Sequence, residues 1–337
     1  MKEAMFYQKK DDGAVECALC NQRCVIKAGK RGICGVRENQ GGTLYSLVYG
    51  RCISQNIDPI EKKPLFHFYP GSYSFSIATV GCNFRCYHCQ NYSISQIARD
   101  RNEIIGEYVP PPKIVEAARS YQCTSISYTY TEPNIFYEYA YDIAVLAHEA
   151  SIKNVFVTNG YITPEALQHL HPWLDGANVD LKSFSDQFYR NICGARLNPV
   201  LDSLRLFKEL GIWLEITTLV IPTYNDSDRE FNEIAEFIVS LGPDTPWHIS
   251  AYYPTYKLND QPRTPVQTLK RAREIGRKVG LRYVYEGNVR GEAGENTYCY
   301  SCGSLLLERF GFSIAQDRIK GGKCPDCEVI IDGVGLS

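Results

Sequence analysis

The run Gly81-Cys82-Asn83-Phe84-Arg85-Cys86-Tyr87-His88-Cys89-Gln90-Asn91 carries three thiols at separations of four and three residues. Three thiolates are one short of the set that closes a structural zinc or iron–sulfur site, and an open coordination position marks a centre that binds substrate. A distant ligand such as Cys52 or Cys123 would instead close the site as a structural one. Two other cysteine sets are complete. Cys17, Cys20, Cys24 and Cys34 make a four-thiolate group compatible with structural zinc or with an auxiliary [4Fe–4S] cluster, zinc being slightly favoured. Cys299, Cys302, Cys324 and Cys327 read as the paired knuckles of a zinc ribbon, although a rubredoxin-like single iron takes the same four sulfurs.

These sets hold 11 of the 14 cysteines in a chain of 337 residues. Retained thiols at that density point to metal in a reducing, cytoplasmic setting rather than to a disulfide framework, which belongs to short secreted chains. Cys52, Cys123 and Cys193 read as small buried apolar residues. With 36 basic and 38 acidic residues the net charge is −2, so no electrostatic footprint of a nucleic-acid binder is present. No apolar run is long enough for a membrane span, and no secretory leader is expected. Arg23, Lys27, Lys30 and Arg31 form a small basic group, read as a solvated face or as a docking point for an acidic partner or electron donor.

The elements that must position these groups divide the chain into three. Residues 1–50 have many glycines and little apolar periodicity, so a metal is expected to hold them together. Residues 51–288 alternate apolar strand-like runs with helical patterns, the signature of βα units on a parallel sheet. Strands are expected at Ser74–Val80, Thr124–Tyr130, Asn154–Thr158, Asn178–Leu181, Trp213–Ile221, His248–Tyr253 and Leu281–Tyr285. Ser227 to Glu230 forms a capping box ahead of Phe231, Ile234, Phe237 and Leu241, spaced for one helical face. Thr163-Pro164 and Thr264-Pro265 mark helix starts, and Gly211 and Gly280 helix ends. A linker from Gly287 to Asn296 then leads to a small metal module over residues 289–337.

Within a strand of a parallel barrel, polar residues alternating with apolar ones identify what faces the interior. Glu215 and Thr217 oppose Leu214, Ile216 and Val220; Asp180 and Lys182 oppose Val179 and Leu181; His248, Ser250 and Tyr252 oppose Ile249 and Ala251. Each is expected to face the pocket; the alternative for Asp180 and Lys182 is a purely structural ion pair.

Cys-x3-Cys-x2-Cys at the end of the first strand resembles the signature of radical S-adenosylmethionine (SAM) enzymes, and the flanking Gly81 and Asn91 make it similar to glycyl-radical-enzyme activases such as the pyruvate formate-lyase activating enzymes. With the cysteine modules and Ile57-Asp58-Pro59-Ile60-Glu61-Lys62-Lys63-Pro64-Leu65, the chain looks like the radical SAM enzyme of the AmmeMemoRadiSam system. The resemblance implies an α/β fold, a partial (β/α)6-type TIM barrel flanked by cysteine-rich modules at both termini. It implies that Cys82, Cys86 and Cys89 hold a [4Fe–4S] cluster whose fourth iron binds SAM, and that an electron splits SAM into methionine and a 5′-deoxyadenosyl radical that abstracts hydrogen. It places His88 where an aromatic residue usually packs near the adenine. Tyr130-Thr131-Glu132-Pro133 stands where these enzymes have a Gly-Gly-Glu turn, so Thr131 and Glu132 would meet the SAM amino group. Asn159, Asp180 and Lys182 would touch its methionine and ribose parts; strand alternation, independently of the resemblance, adds Glu215, Thr217 and His248 as expected cofactor contacts. The resemblance further implies a one-electron donor such as flavodoxin or ferredoxin, a protein or small-molecule substrate, and Memo-like and AMMECR1-like partners.

Two other functions compete with this oxidoreductase reading. A radical SAM tRNA-modifying enzyme would use the terminal modules as RNA grips, against which stands the near-neutral charge. A non-catalytic iron–sulfur or zinc scaffold would hold a reducible cluster and bind no SAM. Phosphate-loop, zinc-hydrolase and serine-hydrolase motifs are absent from the sequence.

Overall fold

The computed structural model describes residues 1–289 and 293–336. The middle of the expected linker, residues 290–292, lies outside the described residues. All seven expected strands form, within one or a few residues of their anticipated limits: β2 (Tyr73–Ala78), β3 (Ser125–Tyr128), β4 (Lys153–Thr158), β5 (Gly176–Asp180), β6 (Trp213–Val220), β7 (Trp247–Ala251) and β8 (Val284–Gly287). They pair in parallel in sequence order, and an additional strand, β1 (Ser54–Pro59), pairs antiparallel with β2 at the edge. Crossover helices α1 (Pro111–Ser120), α2 (Tyr137–Glu149), α3 (Pro164–Leu170), α4 (Asn198–Glu209), α5 (Asp228–Leu241) and α6 (Val266–Val279) complete six βα units. The sheet stays open between β1 and β8, a partial barrel.

Helix faces follow the sequence closely. Phe231, Ile234 and Phe237 of α5 are buried against the sheet, and Gly280 ends α6 at φ 120°, a conformation that side chains disfavour. The capping box forms only in half: the Ser227 hydroxyl accepts from Glu230 N at 3.2 Å, but the Glu230 carboxylate is drawn away to Ser183 Oγ and Phe184 N. Thr264 likewise does not cap α6, its hydroxyl bonding Val220 O and Tyr252 N instead.

Residues 1–50 fold as two three-stranded antiparallel sheets. Contrary to expectation they carry an apolar core: Val15, Leu19, Ile26, Val36, Leu44 and Val48 are buried in one continuous cluster with the barrel. Their strands have only two to four residues, too short for a period to show. At the other end, Leu305–Phe310 and Ser313–Asp317 form a hairpin whose Leu306 and Leu307 pack in one small core with Phe66, Tyr283 and Tyr285. Its buried Arg309 donates to Phe66 O at 2.9 Å and to Thr297 Oγ1 at 2.7 Å, and the Thr297 hydroxyl meets the Tyr285 hydroxyl of β8. No helix among the described residues is long and apolar enough to cross a membrane.

Candidate active site

The loop after β2 is held by its own backbone contacts. Gly81 adopts φ 103°, and a Cβ there would lie 2.5 Å from Val36 Cγ1, so only glycine fits. Arg85 N and Tyr87 N donate to Cys193 O and Ile192 O at 2.7 and 3.1 Å, zipping the loop to the turn before α4. Buried Phe84 packs edge-on against Tyr161 and Tyr189. Cys82, Cys86 and Cys89 all open on a cavity of about 550 Å³ at the carboxyl ends of the strands, where parallel α/β sheets bind ligands.

The cavity also gathers His88, Thr131, Glu132, Asn159, Asp180, Lys182 and Thr217, all expected from sequence. Glu132 is buried and accepts from Thr158 Oγ1 at 2.6 Å, Asn159 N at 2.8 Å and Asn134 N at 3.2 Å. Burial nonetheless pushes its carboxyl up to about 7, the three donors opposing that shift. Thr131 donates to Thr79 O at 2.8 Å, tying the turn to the end of β2. Tyr130 takes the left-handed conformation, φ 61°, that a glycine would adopt freely. Its side chain anchors it there: the hydroxyl donates to Asp58 and the Lys63 ammonium lies 4.5 Å from the ring centre.

Asn159 Nδ2 donates to Asn83 Oδ1 at 2.8 Å and lies 3.9 Å from Cys82 Sγ, so it braces the cysteine loop. Lys182 Nζ and Asp180 Oδ2 pair at 2.7 Å. Burial opposes the Lys182 charge, but Asp180 and the Cys86 and Cys193 sulfurs hold it protonated. Cys193 is buried as expected, yet its sulfur lies within 4.8 Å of Cys86 Sγ and a His88 ring nitrogen. Hydrogen bonding to Cys193, with Lys182 nearby, draws the Cys86 thiol below its ordinary range against the effect of burial. Burial and Lys182 push His88 down to about 3, so its imidazole is neutral.

Three expected pocket residues lie elsewhere. Glu215 and His248 face the barrel interior but sit outside the cavity, in a buried polar group where His248 Nε2 meets Glu215 Oε2 at 2.6 Å. Glu215 also accepts from Phe66 N, His67 N and Trp213 Nε1 at 2.8 to 3.0 Å, so its lone pairs are spent on the segment that closes the barrel. Tyr252 is likewise buried, its hydroxyl given to Leu258 O. Strand period reports the face of a sheet and not the depth along the barrel, which is why these residues were expected in the pocket. Ser250 lines the cavity as expected, and Asn178, Lys63 and the hairpin residue Phe312, which strand period did not single out, line it too. Asn178 shares a face with Asp180 and was within reach of the same period-two rule.

The group that this chemistry calls for fits the residues present. Three convergent thiols adjoin a buried His88 whose Nδ1 has no partner, beside a polar cavity large enough for a nucleoside-sized ligand. At the C-terminus, the Cys299, Cys302, Cys324 and Cys327 sulfurs lie within 4.8 Å of one another. The N-terminal four line a pocket together with Arg37 and Asn83.

Comparison with known proteins agrees with this geometry. A family model described as the radical SAM superfamily matches residues 76–238. An uncharacterised protein of Methanocaldococcus jannaschii is 49% identical over 335 residues, 98% of this chain and 99% of that protein. The pyruvate formate-lyase-activating enzyme of Clostridium pasteurianum is 24% identical over 166 residues, 48% of this chain and 67% of the relative. Among solved structures, a radical SAM methyltransferase from Sphaerobacter thermophilus is similar in fold, with a TM-score of 0.51 at 16% identity over 71% of each chain. The cysteine loop at the end of β2, the partial barrel around it and these relatives together establish that the chain belongs to the radical SAM superfamily.

Proposed function

We propose that this chain is an activase-like radical SAM oxidoreductase that takes hydrogen from a protein substrate. The observation that carries the reading is the convergence of Cys82, Cys86, Cys89 and the buried Glu132 on one cavity. When bound, the cluster and SAM supply a one-electron cleavage that yields methionine and a 5′-deoxyadenosyl radical. The residues of this chain bind and orient. Cys82, Cys86 and Cys89 would hold three irons, leaving the fourth for the amino and carboxylate groups of SAM. Glu132, held by Thr158 and Asn159, would accept a hydrogen bond from the SAM amino group. Neutral His88 would pack near the adenine; Asn159, Asp180, Lys182 and Thr217 would line the methionine and ribose. The likeness to an activating enzyme supports a protein substrate and a flavodoxin or ferredoxin as donor.

The C-terminal sulfurs support zinc. Four thiolates at ~2.3 Å from one ion stand about 3.8 Å apart along each tetrahedral edge. Cys299 to Cys327 and Cys302 to Cys324 measure 3.6 and 3.7 Å. A cytoplasmic setting accords with the many free thiols. The Memo-like and AMMECR1-like partners rest on sequence resemblance, and co-elution at micromolar concentration tests them.

The deciding experiment is release of 5′-deoxyadenosine by anaerobically reconstituted protein given SAM and dithionite. The wild type should release it and the Cys86→Ala variant should not. Equal release by both, or none from wild type shown to hold a reduced cluster and supplied with candidate substrate proteins, would overturn the reading.

A further inference from the structure

Two features set the N-terminal thiols apart from the C-terminal ones. Among the described residues, the Cys299 set draws its four sulfurs within 4.8 Å of one another, as one tetrahedral ion requires. Neither the N-terminal four nor the trio Cys82, Cys86 and Cys89 is drawn together in this way. Yet Cys17, Cys20, Cys24 and Cys34 all line a single pocket that Asn83 of the cysteine loop also lines. A cubane distributes its thiolates over separate irons and so keeps them farther apart than a single ion does.

The second feature is a surplus of buried donors. Arg37 and Asn83 line the same pocket, and Arg37 Nε and Asn83 Nδ2 are both buried without a partner. Arg37 Nη1 already donates to Cys17 Sγ at 3.2 Å, and the guanidinium pairs with buried Glu138. Orphaned buried donors are rare and costly, and inorganic sulfides would add the acceptors that four thiolates alone lack. The buried cation would offset the negative charge of such a centre.

From this we infer that Cys17, Cys20, Cys24 and Cys34 hold a second [4Fe–4S] cluster, through which an electron reaches the Cys82–Cys86–Cys89 site. The two sites adjoin. Asn83 lines the N-terminal pocket and follows Cys82 directly, and Cys34 O lies 3.0 Å from where a Cβ on Gly81 would stand. Gln22, between two of the thiols, donates to Asn83 O at 2.8 Å. One electron arrives from a low-potential one-electron donor protein and one leaves; no bond forms or breaks. The route rests on the proposed role of Cys82, Cys86 and Cys89, whereas the cluster itself does not.

The test is the metal content of full-length protein reconstituted anaerobically with iron, sulfide and zinc all supplied. Wild type should hold about eight irons and the Cys82→Ala/Cys86→Ala/Cys89→Ala variant about four, with an electron paramagnetic resonance signal on reduction. About four irons in wild type and none in the triple variant, with two zincs in each, would overturn the second cluster. A triple variant that fails to fold leaves the test intact, because wild type alone separates the outcomes: about eight irons with one zinc support both clusters, about four irons with two zincs overturn the second cluster, and about four irons with one zinc refute the reading of the Cys82 loop. About four irons in both proteins would instead refute the reading of the Cys82 loop. For the route, the Cys24→Ala variant should lose reduction of its remaining cluster by flavodoxin hydroquinone while keeping reduction by dithionite; reduction by both would overturn it.

Discussion

The Thr158 hydroxyl donates a 2.6 Å hydrogen bond to the Glu132 carboxylate, fastening the end of β4 to the turn after β3 at the cavity wall. The bond matters because burial pushes Glu132 up to about 7, so its charge changes within the physiological range. The carboxylate offers the amino group of SAM a charge-assisted acceptor, whereas the protonated acid keeps only a weaker carbonyl acceptor. Affinity for SAM should therefore rise about tenfold between pH 6 and pH 8 and level off above, as the ionised fraction does. Glu132→Gln should weaken binding at pH 8 by about tenfold or more and flatten the pH profile. Calorimetric titration of reconstituted protein with SAM checks both, and an unchanged slope in the variant would remove Glu132 from the site.

Asp58, near the end of β1, serves three donors that line the cavity. Lys62 Nζ and Lys63 Nζ lie at 2.8 and 2.6 Å, and the Tyr130 hydroxyl completes the set. Lys63 is only 1% exposed, and burial pushes its ammonium down to about 8. Asp58→Asn would leave that ammonium buried and poorly compensated, at a cost of about 3 kcal/mol or more. Pairing Asp58→Leu with Lys63→Met should recover most of the loss, because the unpaired charge and not the missing bond is expensive. Urea unfolding of the two variants measures the difference; equal destabilisation would refute the argument.

Much of this architecture is legible in the sequence because it rests on short-range rules. The spacing of Cys82, Cys86 and Cys89 and the apolar runs of seven strands need no tertiary information, and both describe the structure. The period of two put Asp180 and Thr217 in the cavity, but it could not separate them from Glu215 and His248. That distinction depends on Phe66 and His67, which cross the barrel about 150 residues earlier in the chain and use up the Glu215 lone pairs. Lys63 and Phe312 reach the cavity from an irregular segment and from a hairpin tip, where no periodicity marks a facing side. Such contributions are set by how distant segments meet.

His67 provides a stability switch at acid pH. Its Nδ1 and Nε2 lie 2.6 Å from Asp332 O and the Tyr285 hydroxyl, and it is buried near Glu215, Arg309 and His248. Burial is the largest effect and pushes its pKa down to about 4; Glu215 and the Asp332 carbonyl oppose this, while Arg309 and His248 add to it. The unfolded chain, with an ordinary imidazole, therefore binds the proton first as pH falls. The stabilising contribution is complete above pH ~6.5 and is lost progressively between there and pH ~4, by up to ~3 kcal/mol. The difference in unfolding free energy between wild type and His67→Gln should shrink over that window. A constant difference would show that His67 titrates alike in both states.

The C-terminal thiols should govern the closure of the barrel rather than its chemistry. Cys299 and Cys324 belong to a small core with Leu306, Leu307, Tyr283 and Phe66, so the sulfur site and the hairpin are packed as one unit. That hairpin carries Arg309, which holds Phe66 from the far side of the gap, and Phe312, which reaches the cavity. A chelator that strips the ion from this site should release one zinc per chain, lower the melting temperature and expose residues 297–332 to protease, because a structural zinc stabilises its module directly. Iron at the Cys82 loop should stay, since none of its thiols belongs to the C-terminal core. Release of iron in place of zinc, with the visible absorption of a four-sulfur iron site, would reassign the module to electron transfer.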